Sequence, residues 1–467
     1  MSTRSIVYGF PGAAMSESFD VVVIGAGQAG VPLAGALAKT GQRVALVERK
    51  FLGGSCINFG CTPTKAAIAS ARVAHLARRG AEFGLRIPTV EVDFAAVIDR
   101  ARAIVATFRS GMEKAYGGEG QPVLIRAHAR LDGRHGERFR VQAGDVELLT
   151  GQVVLDTGTR SLIPHLDGLD SVDVIHAGNW LDHRELPERL IIIGGGVIAV
   201  EMAQFYRRMG STVTIIEGQP RIAATEDPDV SELLQSIFER EGIALRLDTH
   251  VTRVERRGAE LVVHLADGNE LAGSDLFVAT GRVPNTDDLG LETVGIESTK
   301  GIIRVDERLR TTVAGVWAAG DIRGGPMFTH TAWDDYRVFL SQMTGDRSRT
   351  TDRIVPYAIF TDPEIGRVGM TETEARQSGR QIKLSRFDIR RNSKAIEAGE
   401  EDGFIKVIVD AGTHELLGAT VFCHEGAELV HMYVDVMNAR KPASVIRDAI
   451  HIHPTLAEAI QSAVSEF

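Results

Sequence analysis

Two cysteines that stand five residues apart, Cys56 and Cys61, are the side chains of this sequence best suited to chemistry. They fall near the predicted start of an alanine-rich helix, where the helix dipole favours a thiolate. Lys65, one helical turn after Cys61, adds a positive charge. Thiol–disulfide exchange requires a thiolate and a nearby second sulfur. The sequence therefore predicts a redox-active cysteine pair.

A zinc half-site and a pair of buried structural thiols are the other interpretations of these cysteines. Zinc takes four ligands, and the sequence contains no second cysteine pair. Glycines such as Gly53, Gly54 and Gly60 surround the two residues, and inert burial fits so glycine-rich a setting poorly. The third cysteine, Cys423, has no partner nearby in the sequence, and we expect it to be a small buried apolar residue.

The chain contains the same pattern twice: an apolar strand, a glycine-rich turn, a helical stretch and a second strand that ends in an acid. The turn and acid positions are Gly25, Gly27, Gly30 and Glu48 in the first copy, and Gly194, Gly196, Ala199 and Glu217 in the second. In both copies the acid lies 23 residues after the first glycine. Because a glycine motif counts as a signal only between a strand and a helix, this context predicts two dinucleotide-binding βαβ units.

Each position of the pattern has a physical purpose. The first glycine makes the tight turn, the second lets the backbone approach a pyrophosphate, and the third position packs the helix on the strand. The helix N-terminus offers N–H groups to the phosphates, and the acid accepts hydrogen bonds from an adenosine ribose. A carboxylate at Glu217 repels a 2′-phosphate, so we predict NADH in preference to NADPH, although Arg221 nearby weakens that preference.

Composition and charge exclude other classes of function. The 467-residue chain carries a formal net charge of −10, whereas binding to nucleic acid requires a basic face. No apolar run reaches the roughly 18 residues that span a membrane, and residues 1–15 lack the apolar core of a signal peptide. We predict a cytoplasmic protein without nucleic-acid or membrane partners, in which residues 1–15 form a loose N-terminal extension.

Four segments, in this order, resemble the flavoprotein disulfide reductases, also called class I pyridine nucleotide-disulfide oxidoreductases. Residues 53–65 resemble the active-site motif of this family, and residues 280–286 resemble its return segment to the FAD domain. Residues 318–321 resemble the stretch whose aspartate binds the flavin ribityl chain, and residues 453–455 resemble the C-terminal catalytic motif. The family includes dihydrolipoamide dehydrogenase, glutathione reductase and mercuric reductase, and the resemblance extends over nearly the whole chain.

The resemblance implies roles for the matching residues. Cys61 would be the thiol that faces the flavin, and Cys56 the thiol that exchanges with substrate. Lys65 would lie near the flavin N5 and pair with Glu201. Further contacts with FAD or the nicotinamide nucleotide are implied for Gly54, Thr157, Gly158, Gly281, Asp321, Thr329 and His330.

The assignment of an acid–base residue depends on the resemblance. His451 and His453 flank Ile452, and from the residues alone either could be an ordinary surface or core histidine. A histidine suits proton transfer to thiols near neutral pH. The resemblance implies that His453 is the acid–base, that Glu458 orients it, and that the pair serves the active site of the partner subunit. It therefore implies a homodimer.

These motifs predict an α/β fold with two Rossmann-like dinucleotide-binding domains and a C-terminal α+β dimerisation domain. We predict that residues 16–163 and 284–348 form the FAD-binding domain in two parts. Residues 164–283 would form the NAD(P)-binding domain, and residues 349–467 the dimerisation domain.

The predicted reaction passes hydride from NADH through FAD to a Cys56–Cys61 disulfide, and electrons from there to a small-molecule disulfide or another thiol-reactive substrate. No metal is predicted. Residues 324–335 resemble mercuric-reductase-like relatives, yet the C-terminal cysteine pair of mercuric reductases is missing. Two alternatives stay open: an NADH oxidase or diaphorase that reduces oxygen or quinones, and a non-catalytic flavoprotein partner subunit.

Overall fold

Parallel strands alternate with helices through most of the chain, and an antiparallel sheet follows them. The computed structural model describes residues 16–116 and 120–467, so the predicted extension of residues 1–15 lies outside the described residues. The strands are β1 (Ser16–Ile24), β2 (Val44–Val47), β3 (Val123–Ile125), β4 (Ala129–His135), β5 (Arg138–Ala143), β6 (Val146–Leu155), β7 (Thr159–Ser161), β8 (Val174–His176), β9 (Arg189–Ile193), β10 (Thr212–Ile216), β11 (Ile243–Arg246), β12 (Val251–Arg257), β13 (Glu260–Leu265), β14 (Glu270–Gly273), β15 (Asp275–Val278), β16 (Arg282–Pro284), β17 (Ser298–Thr299), β18 (Ile302–Ile303), β19 (Val316–Ala318), β20 (Tyr357–Ile359), β21 (Glu364–Gly369), β22 (Ile382–Asp388), β23 (Phe404–Asp410) and β24 (Leu416–Cys423). The helices are α1 (Gly30–Lys39), α2 (Gly54–Asn58), α3 (Cys61–Arg78), α4 (Phe94–Ala115), α5 (Val197–Met209), α6 (Pro228–Arg240), α7 (Thr329–Met343), α8 (Glu372–Gln377), α9 (Ser393–Ala398), α10 (Gly426–Leu429), α11 (His431–Asn438), α12 (Ser444–Arg447) and α13 (Ala457–Ser462).

The chain divides into two compact units, each assembled from three segments. The first unit contains the chain up to Thr64 together with Arg100–Ser161 and Arg282–Arg353. The second unit contains Lys65–Asp99, Leu162–Gly281 and Ile354–Phe467. The predicted four-segment domain boundaries stay a prediction.

The first unit is built on a sheet with the strand order β3-β2-β1-β6-β5-β4, and β19 pairs with β6. The strands β1, β2, β3 and β6 pair in parallel, while β5 joins β6 antiparallel. Val21 and Val23 of β1 point into one apolar cluster, which includes Leu33 and Leu37 of α1. Val22 and Ile24 point into another. Both faces of the sheet are therefore covered, as is usual for parallel sheets.

The second unit repeats this construction and adds two antiparallel sheets. The strand order β11-β10-β9-β15-β8 is parallel throughout. Helix α5 follows β9 and is buried along nearly its whole length. The strands β12, β13 and β14 form one antiparallel sheet, and β20-β21-β24-β23-β22 form the other. Tyr433 and Ile460 belong to the core that covers this last sheet.

The two predicted βαβ units are present as β1–α1–β2 and β9–α5–β10. Helix α5 begins at Val197, so Ala199 lies within its first turn rather than in the preceding loop. Among the helices of the two described stretches, none is long and apolar enough to cross a membrane.

Candidate functional site

The two cysteines stand at the starts of consecutive helices. Gly53 and Gly54, with φ of +90° and +60°, turn the chain from β2 into the short helix α2, where Cys56 is partly buried. The N–H of Gly60 donates to the carbonyl of Ser55 (2.7 Å), and this contact closes α2 before Cys61 opens α3. Cys61 is exposed, and its Sγ lies 3.1 Å from Thr329 Oγ1 at the start of α7. Both of these residues belong to the first unit.

A hydrogen-bonded pair that the sequence analysis missed holds the loop before the second cysteine. The buried Asn58 donates to the carbonyls of Leu52 (2.9 Å) and Gly54 (2.8 Å). Arg109 of α4 donates two hydrogen bonds to Asn58 Oδ1 (3.0 and 2.6 Å) and lies over the ring of Phe51. No local pattern connects residues 58 and 109, and therefore only the fold brings them together.

The first glycine turn has no room for larger residues. Gly25 has a φ of +104°, and a Cβ there would lie 2.1 Å from the carbonyl oxygen of Asp156. A Cβ on Gly30 would lie 2.1 Å from the carbonyl oxygen of Gly25, and one on Gly54 would lie 2.9 Å from Cα of Gly27. Such close approach of backbone to backbone is the glycine requirement that the motif predicts.

Each predicted ribose acid is held by two backbone N–H groups, one from the glycine turn and one from the residue two positions after the acid. Glu48 Oε2 accepts the N–H of Ala26 (2.9 Å), and its Oε1 accepts that of Lys50 (2.7 Å). Glu217 Oε2 accepts the N–H of Gly195, and its Oε1 accepts that of Gln219 (2.8 Å). Both carboxylates are thereby fixed beside the turn that precedes the helix.

The remaining predicted flavin contacts lie in the first unit, where hydrogen bonds or ring contacts hold them. Thr157 Oγ1 donates to the carbonyl of Asn285 (2.8 Å), and the N–H of Asn285 donates to the carbonyl of Gly158 (2.9 Å). Thr159 Oγ1 donates to Asp321 Oδ2 (2.8 Å). The ring of His330 stacks on that of Phe328 at 5.4 Å between centroids.

The second glycine turn leaves space where a nucleotide phosphate is expected. Gly194 has a φ of +106°, and a Cβ there would lie 2.5 Å from the carbonyl oxygen of Ala279. In contrast, no atom of residues 16–116 or 120–467 lies within 4 Å of the Cβ position of Gly196, the residue just before α5. Arg221 Nε is buried and has no hydrogen-bond partner among the described residues. Gly281, with a φ of +135°, accepts the N–H of Leu162 (2.9 Å).

The predicted lysine–glutamate pair is formed within the second unit. Lys65 Nζ lies 2.7 Å from Glu201 Oε2, and the other carboxylate oxygen accepts the N–H of Phe360 (2.9 Å). The side chain of Glu201 is 6% exposed and that of Lys65 is 32% exposed. Lys65 Nζ also lies 4.4 Å from the centre of the Phe360 ring. A buried carboxylate therefore fixes the end of a lysine that is one-third exposed.

The predicted acid–base pair is also formed. His453 Nδ1 lies 3.0 Å from Glu458 Oε1, and Glu458 Oε2 accepts the N–H of Thr455 (2.9 Å). The N–H of Thr455, and then the contact with His453, lower the pKa of the Glu458 carboxyl below its usual value. The His453 side chain is 70% exposed, and Ile450 and Ile452 beside it are exposed as well.

The observed residues fit two dinucleotide cofactors. The cradle and polar groups that FAD requires are supplied by the turn at Gly25–Gly30, the fixed carboxylate of Glu48 and the buried Thr331 Oγ1 of α7, which has no hydrogen-bond partner in the described part of the chain. The open position at Gly196 and the fixed carboxylate of Glu217 suit a nicotinamide nucleotide. In the two described stretches, no three His, Cys, Asp or Glu side chains are grouped to hold a metal ion.

Two dinucleotide-binding folds and a cysteine pair at a helix start define an oxidoreductase of the flavin- and nicotinamide-dependent class. Residues 19–335 match the family model described as pyridine nucleotide-disulphide oxidoreductase. Residues 355–464 match the model of the dimerisation domain of the same enzymes. The chain belongs to the class I pyridine nucleotide-disulfide oxidoreductases, the flavoprotein disulfide reductase family, and its dimerisation domain indicates a homodimer.

Curated relatives match over nearly their whole length. The chain is 33% identical to the probable pyridine nucleotide-disulfide oxidoreductase RclA of Escherichia coli, over 96% of this chain and 99% of that protein. It is 34% identical to the dihydrolipoyl dehydrogenase of Chlorobaculum tepidum, over 96% and 97% respectively. A solved structure described as HOCl-induced flavoprotein disulfide reductase RclA from Escherichia coli aligns with a TM-score of 0.88 at 33% identity, over 96% of this chain and all of that one. These matches confirm the predicted family, the α/β fold class and the enzyme class.

Proposed function

We propose that this chain catalyses NADH-dependent reduction of a small-molecule disulfide, or of another thiol-reactive substrate, through Cys56 and Cys61. The observation that carries the proposal is the position of Cys61 Sγ, 3.1 Å from Thr329 Oγ1 in the unit that contains the first glycine turn. This contact supports Cys61 as the sulfur on the flavin side. FAD, when bound, would take the two electrons of a nicotinamide and deliver them to a disulfide.

The chain's own residues account for the sulfur chemistry. The Cys56 thiolate attacks one sulfur of the substrate disulfide, which forms a mixed disulfide and expels the other sulfur as a thiolate. His453 of the partner subunit, oriented by Glu458, gives that thiolate its proton. The Cys61 thiolate then attacks Cys56 Sγ, which forms the Cys56–Cys61 disulfide and expels the second substrate sulfur as a thiolate that takes its proton from solvent. One substrate disulfide is thus reduced to two thiols while the enzyme dithiol is oxidised.

Lys65 and Glu201 would act by position and charge. Because Glu201 is buried and fixed by the N–H of Phe360, it holds the lysine ammonium at one place on α3. We propose that, with FAD bound, this ammonium would balance negative charge that develops near the flavin N5.

Glu217 supports NADH rather than NADPH as the reductant. Its carboxylate is held beside the second glycine turn by two backbone N–H groups. A carboxylate so fixed can accept hydrogen bonds from both ribose hydroxyls, whereas it repels a 2′-phosphate. Arg221 is the nearby cation that would soften this preference.

The deciding experiment is a steady-state panel with matched cysteine variants. NADH and NADPH would be tested against lipoamide, small disulfides and Hg²⁺. Cu²⁺ is included because a solved structure of the RclA relative is described as a Cu(II) complex. We expect Cys56→Ser and Cys61→Ser to abolish disulfide reduction and the control Cys423→Ala to retain it. If both serine variants kept full turnover with oxygen or quinones and the parent reduced no disulfide, the oxidase or diaphorase alternative would replace this proposal.

A further inference from the structure

A buried carboxyl group fills the centre of the first glycine turn. Asp156 follows β6 directly and is 5% exposed. Its Oδ2 accepts the N–H of Gly30 (2.7 Å), the first residue of α1. A Cβ on Gly27 would lie 2.8 Å from Oδ2, and a Cβ on Gly320 would lie 2.7 Å from Oδ1. The carboxyl therefore touches both the glycine turn and the segment that precedes Asp321.

The charged neighbours of Asp156 do not compensate a negative charge on its carboxyl group. Asp321 and Asp335 are its acidic neighbours. The arginines close to these two acids pair with them and not with Asp156. Arg323 and Arg353 pair with Asp335, and Arg282 Nε lies 3.9 Å from Asp321 Oδ2. Burial is the main reason that the pKa of Asp156 is raised well above its usual value, and the two neighbouring acids add to it. The N–H of Gly30 acts in the opposite direction and does not overcome these effects.

The protonation state of this carboxyl matters to a diphosphate. The N–H groups at the start of α1 are the donors that a bound pyrophosphate would use, and the N–H of Gly30 is already directed to Asp156 Oδ2. A neutral carboxyl can accept from Gly30 and donate its own proton to another acceptor, such as a phosphate oxygen. An ionised carboxyl has no proton to donate and places a negative charge beside the diphosphate.

We propose that Asp156 is a proton-holding residue of the FAD site, which supports the cofactor pyrophosphate as a neutral acid and weakens retention of FAD when it ionises. The inference rests on the proposed function only in that the chain binds FAD. When FAD binds to enzyme in which Asp156 is ionised, the complex takes up one proton from solvent. When Asp156 is already neutral, no proton is exchanged.

The test is release of FAD from the holoenzyme at a series of pH values. Diluted holoenzyme is followed by the rise in fluorescence of free flavin, with circular dichroism of the same samples to show that the protein stays folded. We expect the dissociation constant to increase with pH, at about tenfold per pH unit once Asp156 titrates, because one proton is linked to binding. Asp156→Asn, which keeps the shape and remains neutral, should bind FAD with an affinity that does not change over this range.

A matched control is available in the other unit. Glu364 of β21 is also a largely buried acid, whose pKa is raised by burial, and it accepts the N–H of Ala427 (3.0 Å). Glu364→Gln should therefore follow the parent enzyme in its pH profile of FAD release. Equal pH profiles for the parent and Asp156→Asn would overturn the proposal.

A second measurement decides the matter if the asparagine variant fails to fold. Calorimetry of FAD binding to the parent apoprotein, in two buffers of different ionisation enthalpy, counts the protons taken up. We expect uptake to rise towards one proton per FAD as the pH increases, and no uptake at any pH contradicts the proposal. A flavin-loaded enzyme with pH-independent FAD release refutes only the role of Asp156. A chain that binds no FAD refutes this role and the proposed function together.

Discussion

The contact between Lys65 and Glu201 predicts that replacing the lysine destabilises the protein more than replacing the glutamate does. Lys65→Met leaves the Glu201 carboxylate buried, with the N–H of Phe360 still donating to it. Glu201→Gln leaves an ammonium that is one-third exposed and still lies over the Phe360 ring. The first change strands a buried charge, whereas the second leaves a charge that water can solvate.

The magnitudes follow from that difference in exposure. Removal of one partner from a buried ion pair costs about 3–5 kcal/mol, because the other charge stays buried. Since Phe360 still donates to Glu201, we place Lys65→Met near the lower end, at about 3 kcal/mol. Loss of a partner by a partly exposed lysine costs about 1 kcal/mol. The two variants should therefore differ by about 2 kcal/mol, or roughly 30-fold in the unfolding equilibrium constant.

Tryptophan fluorescence can report on the unit that contains the pair. Trp180 lies in that unit, and the other two tryptophans, Trp317 and Trp333, lie in the first unit. With both of those replaced by phenylalanine, urea unfolding followed by fluorescence of Trp180 gives the free energy for each single variant and for Lys65→Met/Glu201→Gln. We expect the double variant to cost less than the sum of the single variants, because the stranded carboxylate is gone.

The outcome that would refute this reasoning is an equal cost for both single variants together with additive behaviour of the double variant. Such a result would mean that the two charges do not depend on each other in solution. The flavin readout is separate: Glu201→Gln should perturb the flavin absorbance and slow flavin reduction by NADH. An unchanged spectrum and rate would leave the ion pair intact as a structural contact and remove its proposed role beside the flavin.

Three further predictions concern other parts of the site. Glu458→Gln should slow disulfide reduction roughly tenfold at neutral pH by loosening His453, with unchanged flavin reduction by NADH in stopped-flow. Because the pKa of Glu458 is lowered, the parent enzyme should lose the contact between Glu458 and His453 only as the pH falls below the usual carboxyl range. If Glu458→Gln slowed flavin reduction and disulfide reduction equally, the assignment would be contradicted. Glu217→Gln should reduce kcat/KM for NADH by about 10- to 150-fold, as expected for a hydrogen bond to a charged group. The ratio of kcat/KM for NADH to that for NADPH should fall as well. A larger decrease in kcat/KM with NADPH than with NADH would show that Glu217 does not select the ribose. Cys423 is fully buried and burial raises the pKa of its thiol far above the usual value, so iodoacetamide followed by peptide mass spectrometry should leave Cys423 unmodified in the native enzyme and modify it only after denaturation.

Local sequence patterns were enough to predict the elements that form from residues close together in the sequence. The glycine turns and their strands were predictable because a turn with positive φ, an apolar strand and a helix start all occur within about 30 residues. The match between prediction and structure at β1–α1–β2 and β9–α5–β10 reflects that local character.

Contacts between distant segments were beyond such patterns. Arg109 reaches Asn58 across 51 residues, and Asp156 reaches Gly30 across 126 residues. In the sequence, Arg109 is one more arginine on an amphipathic helix, and Asp156 is one more acid at the end of a strand. Their importance comes from burial and from the groups they meet, which only the sheet order determines. The pairing of Lys65 with Glu201 could be stated beforehand only because a family resemblance supplied it.

The regular spacing of the two acids has a physical origin beyond ribose recognition. In both copies the carboxylate at the end of the second strand accepts two backbone N–H groups, one from the residue after the first glycine and one from the residue two positions after the acid. The acid therefore fastens the glycine turn to the end of the neighbouring strand, and its position in the sequence is set by where that strand ends. A glutamine offers only one carbonyl oxygen in place of two carboxylate oxygens, so it cannot keep both contacts equally. Selection of the ribose and rigidity of the turn are thus coupled in one side chain.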